Sequence, residues 1–381
     1  MAAIGLLLPG STLYPSIGID FLQGIKACFA SHQSSTVTFH NAAIGFGLNA
    51  EELYKEAEKL LLVHDVEVVV AYVENYHAEK LSKLFSAAGK LLIIVNAGAQ
   101  YPAVPAGNDH TLFNGLNDSL CSWLTGQLSA STAGNKAISA TSYYDGGYQH
   151  CHAMTSAFTA AGGEIQYNFI SHFKKQEFTI QPLVAFLQSN PEVNTLLCLF
   201  SGDMARCFYE QVAPLQQQYK LQLYGSPMLF DSSPGDFAVT HPHVQQILGY
   251  TSWVPVLDTP ANNEFVAHFK KEHHKNANLF TLQGWETALL IIHYLQHRQL
   301  VATVPGAIEK LKEQPVQSPR GQLRINNRQL VTGPAYLVSA TGDLQIQVKE
   351  VMEDTTVALE EMMRQVPDSA FHTWFNTYLC I

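Results

Sequence analysis

Aromatic rings and small hydrogen-bonding groups fall together in the turns that follow apolar runs of this chain. Tyr14, Tyr72, Tyr76, Tyr143, Tyr144, Phe230 and Trp253 lie in or beside such turns. This concentration suits a pocket for an amphipathic small molecule, and each ring equally suits packing against a neighbouring helix. The same turns hold Ser11, Thr12, Asn75, Asn96, Ala97 and Ala99. Hydroxyls at Ser11 and Thr12, with backbone N–H groups over 96–99, could hold a carboxylate; helix capping is the alternative use of the hydroxyls. Asp203 and Asp231 are candidates for pairing with a ligand amine. The alternatives are a helix cap at Asp203 and a turn at Asp231, which precedes Ser232-Ser233-Pro234-Gly235.

Catalytic spacings are missing from the sequence. It has no Gly-x-Ser-x-Gly elbow, no phosphate-binding Gly-x-x-x-x-Gly-Lys loop and no His-Glu-x-x-His. A Ser-His-Asp set is defined by geometry and not by order, and nothing here argues for one. Sixteen histidines include His150-x-His152, His241-x-His243 and His273-His274. An i, i+2 pair converges on a metal only from a strand, and His150 and His152 fall in a helical pattern, so no metal site is expected. Gly45-Phe46-Gly47 lacks the strand and helix of a dinucleotide loop. The expectation is a non-enzymatic binding protein without a cofactor.

Composition narrows the partners. Net charge is -10, from 22 Lys+Arg against 32 Asp+Glu, with no basic stripe to attract nucleic acid or anionic membrane. Hydrophobic residues make up 47% and charged residues 14%, a balance that packs cores and excludes disorder. No apolar run reaches the roughly 20 residues of a membrane span. The six cysteines are scattered without a C-x-x-C pair, which fits buried thiols. Ile4-Gly5-Leu6-Leu7-Leu8 follows Met1 almost at once, with no basic flank or cleavage-like stretch. A leader removed beforehand and a cytoplasmic protein both fit that opening.

The elements that must position these groups alternate. Ile4–Leu8, Thr36–His40, Val66–Ala71 and Leu91–Val95 read as strands, between helices over Ile17–Ala30, Asn49–Val63 and Tyr76–Ala88. The cadence repeats with strands Lys136–Thr141, Ile165–Ile170, Thr195–Phe200 and Leu221–Tyr224, and helices Ser119–Ser129, Gly147–Ala161, Ile180–Ser189 and Asp203–Gln216. Two helices, Asn263–His273 and Leu279–His297, then lead into short strands at Gly321–Ile325, Ala335–Ser339 and Leu344–Lys349. The last two form a hairpin through Ala340-Thr341-Gly342-Asp343, and a helix over Val351–Gln365 ends the pattern. With 381 residues, twice-repeated alternation calls for two doubly wound α/β lobes. In such sheets ligands sit beyond the carboxyl ends of the strands.

Five local patterns follow one another along the chain: Ile4–Ser11, Asn96-Ala97-Gly98-Ala99, Tyr144-Asp145-Gly146-Gly147, Gln283–Ala288 and Ser318–Leu323. In this order they resemble the type I periplasmic binding proteins, in particular the branched-chain amino acid binding subunits of ABC importers. The resemblance implies two doubly wound parallel-sheet lobes joined by three crossover segments, near Gly115–Ser119, Gly249–Pro255 and Val331–Ala335. Lobe 1 would hold residues 1–116 and 254–331, and lobe 2 residues 117–253 and 332–381. It further implies an amino-acid-like, amide or aromatic-acid ligand, closure of the lobes on it by hinge motion, ABC permease subunits as partners and a periplasmic location. A cytoplasmic sensor of the same fold is the alternative, and a hydrolase on this scaffold a third. The chain departs from the family at Val73-Glu74-Asn75-Tyr76, where a serine cluster is usual, and at Ala99-Gln100 in place of Ala-Thr. A charged Glu74 would repel a carboxylate there.

Overall fold

Uninterrupted runs such as Val68–Tyr72 and Leu91–Asn96 have every residue buried, as parallel strands covered on both faces require. The computed structural model describes residues 2–32, 37–99, 101, 109–147, 149–231, 244–341, 345–365 and 378. The chain divides into two units. Unit 1 comprises Met1–Leu116, Asp258–Gly333 and Tyr378–Ile381; unit 2 comprises Asn117–Leu257 and Pro334–Thr377.

Unit 1 begins with β1 (Ala2–Leu8), α1 (Ile17–Ser31), β2 (Val37–Ala43), α2 (Ala50–His64) and β3 (Val68–Tyr72). A 3₁₀ turn at Asn75–His77, α3 (Ala78–Ala88), β4 (Leu91–Asn96) and β5 (Thr111–Gly115) follow. Asn49 starts α2 by accepting from the N–H groups of Glu51 and Glu52. The five strands are parallel in the order β2-β1-β3-β4-β5. Chain direction across the sheet therefore reverses between β1 and β3, the switch point at which such sheets open a crevice.

Unit 2 repeats the plan with α4 (Asp118–Thr132), β6 (Lys136–Thr141), a 3₁₀ turn at Asp145–Gly147, α5 (Gln149–Ala160) and β7 (Glu164–Ile170). It continues with α6 (Gln181–Ser189), β8 (Thr195–Leu199), α7 (Gly202–Gln218), β9 (Gln222–Gly225) and β10 (Ile247–Thr251). The parallel order is β7-β6-β8-β9-β10, with its reversal between β6 and β8.

The chain then returns to unit 1 through α8 (Pro260–His273), α9 (Leu279–Arg298), α10 (Val304–Lys312), β11 (Val316–Ser318), β12 (Gly321–Ile325) and β13 (Leu330–Thr332). β13 joins β5 in parallel, and β12 and β11 extend the edge antiparallel. In unit 2, β14 (Ala335–Ala340) and β15 (Ile346–Met352) add an antiparallel hairpin to β10, and α11 (Thr356–Gln365) packs on α4. Both sheets are thus mostly parallel with antiparallel edges. α9 lies directly against α1: a Cβ on Gly24 would come 2.1 Å from the Thr281 carbonyl, and one on Gly284 2.1 Å from that of Phe21. Only glycine permits this backbone contact.

Several expected boundaries move. The helix expected from Tyr76 begins at Ala78 after the 3₁₀ turn, and the one expected from Gly147 begins at Gln149. Val351 and Met352 belong to β15, so the last helix is shorter than the expected Val351–Gln365. The β-branched strand near Thr36–His40 runs on to Ala43 in register with β1. α10 lies in a stretch that Pro305 punctuates, because Pro305 sits in the helix's first turn, where no N–H partner is lost. Residues Gly342 and Asp343 of the expected hairpin turn, and His241 to His243, lie outside the described residues.

A fully buried ion pair organises one end of unit 1. Arg320 Nε donates to Glu286 Oε1 (2.8 Å), which also accepts from Ser318 Oγ (2.8 Å). Arg320 Nη2 donates to the Gly115 carbonyl at the end of β5 (3.1 Å), and a Cβ on Gly333 would lie 3.3 Å from Arg320 Nε. One guanidinium therefore touches both places, Gly115 and Gly333, at which the chain is about to leave unit 1.

Candidate functional site

In unit 1 the loop after β3, on one side of the switch point, is tied to the loop after β4 through Asn96. Its Nδ2 donates to the Val73 carbonyl (3.1 Å) and to Asn75 Oδ1 (2.9 Å), bridging the turns after β3 and β4. Its Oδ1 accepts from Gly98 N–H (2.9 Å), closing a turn whose Gly98 has φ +70°. Gln283 of α9 completes the bracket. It donates to the Asn96 carbonyl (2.7 Å) and accepts from the Tyr72 hydroxyl (2.8 Å). Tyr72 is buried edge-on against Phe21. Ala97 and Ala99 are buried beside this turn.

After β1, Ser11 Oγ accepts from Tyr14 N–H (3.0 Å) and donates to the carbonyl of Tyr378 (2.8 Å). Tyr14 is buried edge-on against Phe280 and Tyr378, while Thr12 is exposed. Glu74 is buried, and burial pushes its carboxyl up to about 8. It is thus mostly uncharged at neutral pH, which removes the expected repulsion of a carboxylate. His77 Nε2 donates to the Gly47 carbonyl (2.6 Å), and burial lowers its basicity.

In unit 2 the equivalent bracket is Asp145, after β6. Its Oδ2 accepts from Ser142 Oγ (2.6 Å) and Ser201 N–H (2.8 Å), and its Oδ1 from Ser201 Oγ (2.8 Å). The turns after β6 and β8 are thereby joined across the switch point. Burial raises the Asp145 carboxyl to about 6, against the lowering effect of the serine donors. Tyr143 (47% exposed) and Tyr144 (43%) stand edge-on, and Phe173 after β7 (45%) lies 5.9 Å from Tyr143. Lys174 Nζ covers Phe173 at 5.6 Å.

Asp203 lies in the first turn of α7, but its side chain does not cap the helix; Ser201 is the N-cap residue. The Asp203 carboxylate is held between Lys175 Nζ (2.8 Å) and Arg206 Nη2 (2.9 Å). Phe230 is buried with its ring against Gly249. Trp253 is buried, its carbonyl accepting from Thr251 Oγ1 (3.3 Å), and Asp231 is half-buried at the end of a 3₁₀ turn over Pro227–Phe230.

The structure thus brings Tyr72, Asn75, Asn96, Ala97 and Ala99 together at the ends of β3 and β4, next to the switch point, and sets Tyr143 and Tyr144 in the turn after β6 and Asp203 in the first turn of α7. Gln283, Asp145, Ser201 and Phe173 were not singled out from the sequence. Gln283 and Asp145 each sat inside a noted pattern, yet their hydrogen bonds join loops that sequence separates by tens to hundreds of residues. Burial holds the His150 ring uncharged by depressing it to about 3. Among the described residues no group of three His, Cys, Asp or Glu could hold a metal, and no helix is long and apolar enough to cross a membrane.

A family model described as periplasmic binding protein matches residues 2–344. Comparison with curated proteins gives no match. Among solved structures, an ABC transporter substrate-binding protein from Sphaerobacter thermophilus aligns with a TM-score of 0.76 at 18% identity, covering 93% of this chain and 98% of that one. An ABC transporter solute-binding protein from Rhodopseudomonas palustris, in complex with benzoate, gives 0.71 at 21%, covering 93% and 98%. A branched-chain amino acid ABC transporter periplasmic ligand-binding protein from Burkholderia xenovorans LB400 gives 0.74 at 14%, covering 93% and 96%. At these identities the likeness establishes the fold.

Proposed function

This chain belongs to the periplasmic binding protein family, and on that premise we propose that it is a solute receptor for a small aromatic or amphipathic carboxylic acid. It works in the periplasm, releases its solute unchanged, and serves the permease subunits of an ABC importer. Each unit offers its own strand-end groups to solute: Ser11, Asn75 and Asn96 in unit 1, and Tyr143, Tyr144 and Trp253 in unit 2.

The observation that carries the choice of an acid over an amine is the state of Asp203. Lys175 and Arg206 already occupy its carboxylate and Lys174 pairs with Glu177, so three cations meet two carboxylates there. A surplus cation beside the exposed rings of Tyr143, Tyr144 and Phe173 favours an anion with a flat apolar body. Glu74, uncharged at neutral pH, adds no repulsion. The benzoate complex of the Rhodopseudomonas palustris protein supports the same class of solute.

A thermal-shift panel of benzoate, 4-hydroxybenzoate, leucine and acetamide tests the reading. A solute at 100 times its Kd adds about 2.7 kcal/mol of stability. The benzoates should raise Tm and be recovered unchanged by mass spectrometry. Stabilisation by leucine alone would reject the acid class, and turnover of a benzoate would reject the receptor.

A further inference from the structure

A serine hydroxyl has one proton to donate, and that of Ser11 is already committed. It goes to the backbone carbonyl of Tyr378, 367 residues further on, at 2.8 Å. The same oxygen accepts the Tyr14 N–H, so the first turn after β1 is built around this bond. Tyr378 is 2% exposed. Its ring meets Tyr14 edge-on at 5.2 Å and Phe280 edge-on at 5.3 Å, and those two rings meet each other at 5.4 Å. Three mutually perpendicular rings form a specific seat. The seat lies in unit 1, although α11, the preceding described element, belongs to unit 2.

We infer that Tyr378 is a built-in occupant of the loop after β1, holding the Ser11 hydroxyl until a solute carboxylate displaces it; this rests on the reading of Ser11 as a solute donor. A carboxylate is a stronger acceptor for a hydroxyl than a peptide carbonyl, so the exchange gains at the bond itself. What opposes it is the unseating of the Tyr378 ring. The apparent affinity for solute is then reduced by the fraction of molecules in which Tyr378 is seated. The seated Tyr378 acts as a threshold, and a weakly held solute fails to cross it.

Full-length Tyr378→Ala and wild type are compared with benzoate as the probe. Calorimetry should show the variant binding benzoate at least about tenfold tighter. In the wild type, saturating benzoate should speed hydrogen exchange in the C-terminal peptide that contains Tyr378, a measurement that needs no variant to fold. Equal or weaker binding by Tyr378→Ala, or tail exchange that benzoate leaves unchanged while it binds, overturns the proposal. If benzoate binds neither protein, exchange over residues 9–16 without solute decides. Faster exchange in Tyr378→Ala supports the seat and transfers the failure to the proposed solute class. Unchanged exchange overturns the seat as well.

Discussion

Replacing Arg320 by Met should be among the most damaging single changes in unit 1, and its damage should depend on pH. Met fills much of the arginine's volume but takes from the Glu286 carboxyl its charged donor (2.8 Å), leaving Ser318 there, and from the Gly115 carbonyl the donor at 3.1 Å. Glu286 Oε2 has no hydrogen-bond partner among the described residues, so Arg320 and Ser318 carry the compensation. Breaking a buried pair by removing one partner costs about 3–5 kcal/mol. For a unit of this size, each kcal/mol moves Tm by about 2–4 °C, which gives a fall of about 6–20 °C. Burial already raises the Glu286 carboxyl, and Arg320 opposes that rise. Without Arg320 the folded-state pKa climbs further above the unfolded value near 4.3. A raised carboxyl takes up a proton on folding, so stability falls as pH rises between those two values, by up to about 1.4 kcal/mol per pH unit. The variant should therefore lose more at about pH 8 than at about pH 5. Circular-dichroism melts at both pH values measure this, and Arg320→Met/Glu286→Leu should recover much of the loss by removing the orphaned carboxyl. A single variant within about 1 kcal/mol of wild type, or a loss identical at both pH values, would refute the reasoning.

Glu74→Gln removes a carboxyl whose pKa is raised to about 8, so it should stabilise the protein at about pH 8 by on the order of 1–3 kcal/mol and have little effect at about pH 4; urea unfolding at the two pH values checks this. Asp145→Asn replaces one accepting oxygen with a donor facing Ser142 or Ser201, and should cost about 1–3 kcal/mol in the same assay. Trp253→Ala should weaken solute binding by about 2 kcal/mol or more, read by calorimetry; unaltered binding makes Trp253 a packing residue. Asp231→Asn should leave benzoate affinity within about twofold, but should weaken any amine-bearing solute by more than about tenfold.

The alternation of strands and helices was legible because fully buried parallel strands are continuous apolar runs, as in β3, β4 and β8. Helix ends with side-chain caps or left-handed glycine were legible too, as at Asn49 and Gly89. α10 was hidden because Pro305 reads as punctuation, whereas Thr303 caps the helix by accepting from Gly306 N–H. β13, only three residues long, takes its conformation from pairing with β5 across some 200 residues of sequence, which no local pattern reports. At the candidate site, sequence placed the rings and small polar groups in turns after strands but not the ties between those turns. Asp203 looked available for a ligand amine until Lys175, from the loop after a different strand, was seen on its carboxylate. Tyr14 and Tyr72 read as pocket rings, yet one is seated on Phe280 and Tyr378 and the other donates to Gln283. Such contacts are set by three-dimensional neighbours with no fixed spacing.

The glycine-to-backbone contact between α1 and α9 also has a consequence in time. α1 is synthesised with the first part of unit 1, but the helix that covers Phe21, Gly24 and Ile25 emerges only after the whole of Asn117–Leu257. At about 5–20 residues per second, the roughly 250 residues between the two helices take on the order of 10–50 s to synthesise. During that interval α1 has Tyr72 and Phe39 to pack against but lacks the helix that meets Gly24, while the parallel strands of unit 2 are already complete. A chain halted after Leu257 should thus protect β6 and β8 from hydrogen exchange and leave β1 and β3 open; equal protection of both sets would contradict this order. The sheet of unit 1, begun first, waits for α9 until the parallel strands of unit 2 have been made, and a factor that binds nascent chains has a long opportunity on the part of α1 that α9 will cover.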